Sequence, residues 1–294
     1  MPFQLLLNGI SLGSVYSLIA VGFCLVFSIL KFTNFAHGAM ITVSAFIGYF
    51  AALKFGFGLY GTLACALIGG ALVGLASEFF AFRTITKKSS SVFYYFVSSL
   101  TWGVFLEQII TISVGSTFMS YPRFFKSLVM KFGPEGKLVV STVDVYMLCS
   151  ACIALTLLFI FLNKTKLGRA IRATSFDRDT AYLMGIDVYR AIQVTFMLAG
   201  IMAGLGGVFL GITYTLTAQL GSNIVIKGFI ASIIGGLGST YGAVLGALIL
   251  GIVENLLIYY VGSGWAPVFI FVIMLAFLLI RPRGIAGVLV QEKA

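Results

Sequence analysis

Two carboxylic acids lie inside long apolar stretches of this sequence, where an ionised side chain is costly. Glu107 and Glu254 are each followed by an amide, Gln108 and Asn255 respectively. Such carboxylates either act as a proton relay or the polar lining of a path, or form a hydrogen bond between helices. For Glu254 we favour the structural interpretation, because a lone carboxylate seldom makes a pump.

A single histidine, His37, lies in a short polar interruption between two apolar runs. An imidazole there could titrate near neutral pH, but we expect it to hydrogen-bond the backbone groups that the interruption leaves free. The four cysteines have apolar neighbours, and the pair Cys149-x-x-Cys152 has no second pair or histidine cluster beside it. Buried small apolar side chains explain the cysteines better than a metal or redox site does.

The sequence shows no recognisable catalytic set, since it has no Ser/His/Asp arrangement, paired carboxylates or metal-ligand cluster. It also lacks the G-x-x-x-x-G-K-[ST] motif, and neither glycine cluster completes a G-x-G-x-x-G. We therefore predict that the chain is not an enzyme. We also predict that it binds no metal, ATP or other cofactor by itself.

Composition indicates a membrane protein. Hydrophobic residues make up 60% of the 294 residues and charged residues only 10%, whereas soluble domains carry about 25% charged residues. With a mean hydropathy of +1.08, these values predict an all-α, polytopic integral membrane protein with one transmembrane domain over residues 1–294. The net charge of +10 indicates basic cytoplasmic loops rather than a nucleic-acid partner.

Apolar runs separated by polar residues predict about eight hydrophobic helical elements. The first run has no basic residue before it, so we expect a retained span rather than a cleaved signal peptide. One element is a broken, glycine-rich hairpin whose first half is too short to cross alone. The predicted elements cover residues 1–30, 39–53, 61–81, 92–114, 143–162, 192–214, 222–260 and 266–280.

The charged segment, residues 163–190, holds nine of the chain's 28 charged residues, which are 19 basic and 9 acidic. A polar island between long apolar runs indicates short helices in water, with membrane spans leaving on either side. Small and apolar residues recur in it at helical spacing, and we expect them to face a partner outside the bilayer. These residues are Ala170, Ile171, Thr174, Ala181, Met184 and Gly185.

Basic residues also predict the orientation of the chain. The charged segment holds six of them, and with the C-terminus it is expected on the cytoplasmic side. The broken hairpin then enters the membrane and returns, and the N-terminus faces outward. The other basic residues expected inside are Arg83, Lys87, Lys88, Arg281, Arg283 and Lys293, and those expected outside are Arg123, Lys126, Lys131 and Lys137.

Glycines fill the break in the hairpin, from Gly235 to Gly242. Irregular backbone at membrane depth is tolerated where it is packed in protein or lines a cavity, so this run is a candidate for a translocation path. The alternative is close helix packing, because Gly238, Gly242 and Gly246 repeat every four residues. The sequence leaves both interpretations open, and both can hold at once.

Three motifs, taken in this order, resemble the membrane permeases of ATP-binding-cassette importers for branched-chain amino acids, the LivH type. Asp179-Thr180-Ala181-x-x-x-Gly185 also matches the spacing of the E-A-A-x-x-x-G element by which importer permeases dock their ATPases, with Asp and Thr in place of Glu and the first Ala. The three motifs are Asn34-Phe35-Ala36-His37-Gly38, the run Gly168-Arg169-Ala170-Ile171-Arg172-Ala173, and the glycine-rich run that continues to Gly242, Gly246, Gly251 and Glu254.

The resemblance implies a multi-pass protein of the bacterial inner membrane that translocates branched-chain or other hydrophobic amino acids. Its partners would be membrane lipid, a second permease subunit in a heterodimer, two ATPase subunits that hold ATP and Mg²⁺, and an external binding protein, with no nucleic acid. The ATPase contact would include Gly168, Arg169, Arg172, Asp179, Ala181 and Gly185. The substrate path is predicted to include Asn34, His37, Gly236, Gly238 and Glu254.

Other functions stay open at this point. Permeases of this type also resemble importers of urea and short amides. An ion-coupled secondary transporter would use Glu107 or Glu254, although its expected feature, paired intramembrane charges, is scarce in the sequence. A membrane scaffold that transports nothing would tolerate bulky replacements at Gly236 and Gly238.

Overall fold

Helices dominate the computed structural model, which describes residues 2–88, 91–115, 117–125, 129–132, 138–281 and 284–287. Of the basic residues used for orientation, Lys126, Lys137, Arg283 and Lys293 lie outside these ranges. The helices are α1 (Pro2–Leu30), α2 (Ala36–Phe55), α3 (Leu59–Ser77), α4 (Arg83–Lys87), α5 (Val92–Val114), α6 (Thr142–Lys164), α7 (Lys166–Phe176), α8 (Arg178–Leu183), α9 (Val188–Thr213), α10 (Leu220–Gly235), α11 (Thr240–Tyr260) and α12 (Ala266–Ile280).

The predicted all-α, polytopic architecture is confirmed. In the described part of the chain, seven helices are long and apolar enough to cross a membrane, and α10 and α12 are apolar but shorter. A π-helical turn, Glu78–Phe82, joins α3 to α4, so this span continues beyond its predicted end at residue 81. One small element was not predicted from the sequence, an antiparallel hairpin of β1 (Val129–Phe132) and β2 (Leu138–Ser141).

Glycines set the closest helix contacts. Apolar side chains gain little by leaving lipid for a helix interface, so small residues that let backbones approach are favoured there. A Cβ atom on Gly70 of α3 would lie 2.1 Å from the carbonyl oxygen of Gly200 in α9. One on Gly251 of α11 would lie 2.4 Å from the backbone nitrogen of Gly13 in α1. These contacts bring α9 against α3, and α11 against α1.

The start of α2 lies inside the bundle rather than at the membrane edge. Lys31, with φ of 55°, ends α1, and the chain then turns back through residues 32–35. His37 reaches the level of Gly22, because a Cβ there would lie 2.8 Å from the His37 Cε1 atom. Gly22 precedes the end of α1 by eight residues, which corresponds to about 12 Å along the helix.

The two ends of α1 show which loops share a side of the bundle. At its C-terminal end, the Arg178 guanidinium donates to the Ile29 carbonyl, with Nε–O at 2.7 Å. At its N-terminal end, the Gln4 amide donates to the Val139 carbonyl of β2, with Nε2–O at 2.5 Å. The charged segment and the β-hairpin therefore lie at opposite ends of the bundle, as the basic residues predicted.

Candidate functional site

The α10–α11 hairpin combines both interpretations of its glycines. Gly236 and Gly238 form the turn with φ of 111° and 92°, values that side chains rarely adopt. A Cβ on Gly242 would lie 2.2 Å from the Gly235 carbonyl oxygen, so this pair packs backbone against backbone. Nothing lies within 4 Å of a Cβ on Gly238. Gly242 is thus a packing glycine, and Gly238 is required for the turn.

The hairpin turn lies beside the charged segment. Tyr241, at the start of α11, stacks on Phe159 of α6 with ring centroids 4.3 Å apart and planes at 6°. Its hydroxyl accepts from the Asn163 amide at 3.0 Å. Asn163 in turn accepts from Arg172 of α7, also at 3.0 Å. A short chain of contacts therefore connects the charged segment to the end of the hairpin.

An ion pair lies between the two arms of this hairpin. Lys227 of α10 donates to Glu254 Oε1 of α11, with Nζ–Oε1 at 2.5 Å. It also donates to the Tyr16 hydroxyl of α1 at 3.0 Å. Glu254 is 5% exposed, and its Oε2 has no hydrogen-bond partner among the described residues. The expected role of Glu254 between helices is present, but as a charge pair rather than as a lone carboxylate.

Four polar side chains of α5 and α10 remain exposed or partly exposed, and we call this set the polar face: Glu107, Ser222, Asn223 and Lys227. The Ser222 hydroxyl donates to Glu107 Oε1 and so joins the two helices. Asn223 is exposed, and the other three are partly exposed. The exposed side chains of α12 are apolar by contrast, as lipid requires. Polar groups at membrane depth normally face protein or water, so the polar face is the best candidate for the wall of a path.

Asn34 and His37 are both fully buried at the start of α2. Asn34 Oδ1 accepts from the Ala36 backbone nitrogen at 3.2 Å. The expectation that His37 bonds the backbone freed at the interruption is wrong, because the imidazole lies beside the backbone of Ile19 in α1 and neither nitrogen has a hydrogen bond of good geometry in the described structure. Asn34 has that role instead. His37 packs between α1 and α2 against Gly22.

Three side chains begin the helices of the charged segment. Thr165 accepts from the Gly168 nitrogen at 2.9 Å to cap α7. Asp177 accepts from the nitrogens of Asp179 and Thr180 at 3.0 and 3.1 Å to cap α8. Asp187 accepts from the Arg190 nitrogen at 3.0 Å to cap α9. Because each cap satisfies backbone donors at a helix start, the segment holds a defined shape outside the bilayer.

The exposed face of the charged segment agrees with the predicted one at Met184 and Gly185 and differs from it elsewhere. Ile171, Thr174 and Ala181 are 1–4% exposed and face the chain's own bundle, so the expectation that they meet a partner is wrong. Their helical spacing indicated one packed face but not its direction. The side chains that do project from the segment form the apolar cluster, which is Phe176 (90% exposed), Tyr182 (67%), Leu183 (83%) and Met184 (78%).

A groove adjoins this apolar cluster. It has a volume of about 550 Å³ and is lined by residues 182, 183 and 185–189. Gly185 contributes backbone with φ of 78°, and a Cβ on it would meet no atom within 4 Å. The groove and the apolar cluster together form a surface that can accept an apolar protuberance of another protein.

Comparison with known proteins identifies the family. The family model described as the permease component of the branched-chain amino acid transport system matches residues 5–278. The chain belongs to this permease family. Together with the seven candidate spans, this makes it a multi-pass permease subunit of an ATP-binding-cassette importer in the inner membrane.

Individual relatives align with almost the whole chain. LivH, the high-affinity branched-chain amino acid transport system permease protein of Escherichia coli K12, is 31% identical over 97% of this chain and 95% of its own. The probable LivH of Methanocaldococcus jannaschii is 33% identical over 97% and 93%. BraD of Pseudomonas aeruginosa is 29% identical over 97% and 95%. The likeness therefore extends over almost the whole chain.

The permease's predicted coupling residues fall into two groups. Gly168 and Ala181 are structural in this geometry, since a Cβ on Gly168 would lie 2.3 Å from the Phe161 carbonyl oxygen and Ala181 is 4% exposed. Arg169, Arg172, Asp179 and Gly185 are exposed. The described structure contains no group of three or more His, Cys, Asp or Glu side chains that could hold a metal ion.

The predicted path residues lie in three places. Asn34 and His37 occupy the start of α2, Gly236 and Gly238 the hairpin turn, and Glu254 the ion pair. Lys227 was not predicted as a site residue, although the sequence contains a signal for it. Lys227 and Glu254 are the two charged residues in the stretch 191–280, and they have opposite signs.

Proposed function

We propose that this permease subunit carries branched-chain or other hydrophobic amino acids across the inner membrane. A second permease subunit would cover the polar face, and the path would run between the two. Two ATPase subunits would dock on the charged segment, and an external binding protein would deliver the amino acid. The relatives' names support the cargo, because each is described as a branched-chain amino acid transport permease.

The observation that carries the docking proposal is the apolar cluster. Three large side chains, Phe176, Leu183 and Met184, are 78–90% exposed in a segment that lies outside the bilayer. Such a patch on a water-exposed surface is typical of a protein interface. The charged residues around it suit the polar rim that interfaces show. An ATPase subunit can seat an apolar side chain in the groove at Gly185.

The contacts of the charged segment give a route for motion from ATPase to path. A displaced α7 would pull on Arg172, Asn163 and then Tyr241 at the hairpin turn. Arg178 would move the end of α1 through its bonds to Ile29. Since α1 and α11 also hold Tyr16 and Glu254, both routes lead to the helices beside the polar face.

The proposal is tested with Leu183→Ser/Met184→Ser in the tagged chain, followed by purification in mild detergent. We expect the double variant to recover about tenfold less ATPase subunit than the wild-type chain, because central apolar contacts dominate interfaces. Uptake of leucine, measured in vesicles with binding protein and ATP, should fall in parallel. Phe118→Ser is the matched control, since Phe118 is 79% exposed. Its neighbour Met119 pairs with Leu216, just past the end of α9 that lies away from the charged segment.

The same assay separates the alternatives. Equal ATPase recovery from the variant and wild type would contradict docking at the apolar cluster. ATP-dependent uptake of urea or a short amide, without uptake of leucine, would show that the cargo is one of these compounds and not an amino acid. The Lys227–Glu254 pair gives the ion-coupled alternative the paired charges that it requires. That alternative predicts uptake in an ion gradient by the chain without ATPase subunits.

A further inference from the structure

Lys227 interrupts an otherwise apolar α10, a helix of 16 residues between Leu220 and Gly235. A charge at this depth requires a partner or a function. Glu254 is its partner, but the pair is not sealed inside the protein. The side chain of Lys227 is 27% exposed, whereas that of Glu254 is 6% exposed. The positive member of the pair therefore points toward the surface, and the negative member lies behind it.

The ammonium group of Lys227 has one donor to spare. A lysine carries three N–H donors. Glu254 Oε1 takes one of them and the Tyr16 hydroxyl takes a second. The Tyr16 ring also lies 5.4 Å from Nζ, measured to its centroid, and adds a cation–π contact. Two neighbours thus hold the position of Nζ, and its third donor has no partner among the described residues.

We propose that Lys227 binds the carboxylate of the transported amino acid. Glu254 and Tyr16 are positioning residues, which hold the ammonium group of Lys227 in place for this contact. This inference rests on the proposed function, because the polar face lines the path only if the chain transports an amino acid with a second permease subunit. A hydrogen bond between an ammonium and a carboxylate is strong and directional. Urea and neutral amides have no carboxylate, so the same contact would also discriminate against them.

A purely structural ion pair is the competing explanation, and it predicts different behaviour. A buried pair that only holds helices together is often replaced by apolar side chains without loss, whereas removal of one partner leaves a buried charge and is destabilising. Under that explanation Lys227→Met alone would be harmful, and Lys227→Met/Glu254→Met would recover. If Lys227 binds a carboxylate, methionine cannot replace it, whether residue 254 is glutamate or methionine. Arginine keeps the positive charge and can replace it in part.

The experiment uses the complete importer complex in proteoliposomes, with leucine-loaded binding protein outside and ATP inside. We expect Lys227→Met and Lys227→Met/Glu254→Met each to lower the initial rate of leucine uptake about tenfold or more, at equal amounts of assembled complex. Lys227→Arg should keep a substantial part of the rate. Lys54→Met, at the exposed end of α2, is the matched control and should transport like the wild type.

Recovery of uptake in Lys227→Met/Glu254→Met would overturn the proposal and assign the pair to helix packing. Wild-type uptake in Lys227→Met, or an arginine variant as impaired as the methionine variant, would overturn it as well. Should Lys227→Met fail to assemble, the double variant and Lys227→Arg carry the test. Failure of the proposed function itself is recognised separately, since the wild-type complex would then show no ATP-dependent leucine uptake.

Discussion

At the scale of single residues, the His37 imidazole is a fully buried polar group without a hydrogen bond of good geometry among the described residues. Both of its nitrogens are buried without partners in the described structure, and the ring touches the notch that Gly22 leaves in α1. Burial of an unpaired polar group costs free energy. The ring is therefore held mainly by its packing in the contact between α1 and α2.

This account predicts the effect of His37→Leu. The leucine side chain keeps most of the packing and removes two unpaired polar atoms, so the melting temperature of the purified protein should stay equal or rise. His37→Ala is the matched variant, and we expect it to cost about 2 kcal/mol or more because it leaves a cavity. A marked loss of stability in His37→Leu would show that the imidazole has a partner. Loss of uptake at full stability would place His37 in the path.

Residue types predicted some of these sites and not others. Glu254 could be recognised as a site residue because a carboxylate in an apolar run is costly and normally has a partner or a function. Its partner Lys227 lies 27 residues away on another helix, and no local spacing connects them. The sequence also could not predict that Ile171 and Thr174 face the bundle, because helical periodicity shows that a face is apolar but not which neighbour covers it.

At the scale of elements, hydropathy located the spans well, because the cost of exposed backbone in lipid forces each apolar run to be helical. Element boundaries that depend on tertiary contacts were different. The start of α2 lies deep in the bundle, where His37 contacts Gly22. The residues of the motif Asn34–Gly38 do not indicate that depth. The hairpin β1–β2 lies outside the membrane, where hydropathy gives little guidance.

The close crossing of α3 and α9 predicts the effect of Gly70→Ala on stability. In Gly70→Ala the new Cβ would lie 2.1 Å from the Gly200 carbonyl oxygen, and two backbones must separate to admit it. We expect a loss of about 1–3 kcal/mol, seen as a lower melting temperature and less monodisperse protein in size-exclusion chromatography. Gly58→Ala, at the start of the same helix, meets no atom within 4 Å and should behave like the wild type. Equal stability of both variants would contradict the close crossing.

At the scale of the whole molecule, the bundle has two chemically different ends. The charged segment and the hairpin turn Gly236–Ser239 lie at one end, and the β-hairpin and Phe118 lie at the other. The sequence predicted this division because basic residues favour the cytoplasmic side. It could not predict that the hairpin turn contacts the charged segment, since Tyr241 and Asn163 are 78 residues apart.

Cysteine labelling tests the two ends directly. A membrane-impermeant maleimide should label Phe118→Cys in intact cells and Met184→Cys only in inverted membrane vesicles, because the two side chains lie at opposite ends. The wild-type chain is the background control. Its Cys24 is buried and its Cys65 is partly buried. Contrary to the expectation that the cysteines are buried, Cys149 and Cys152 are exposed, but they lie on the membrane-spanning helix α6. Labelling of both variants from the same side would contradict the arrangement.

The pairing of Lys227 with Glu254 also has a consequence for how the chain is made. The ribosome delivers α10 first, a short helix whose lysine costs roughly 2.5–3.5 kcal/mol to place in lipid. Its counter-charge follows 27 residues later. We expect α10 to leave the translocon only together with α11, as a hairpin whose charges already neutralise each other. A nascent chain that stops between the two residues would therefore keep α10 out of the lipid.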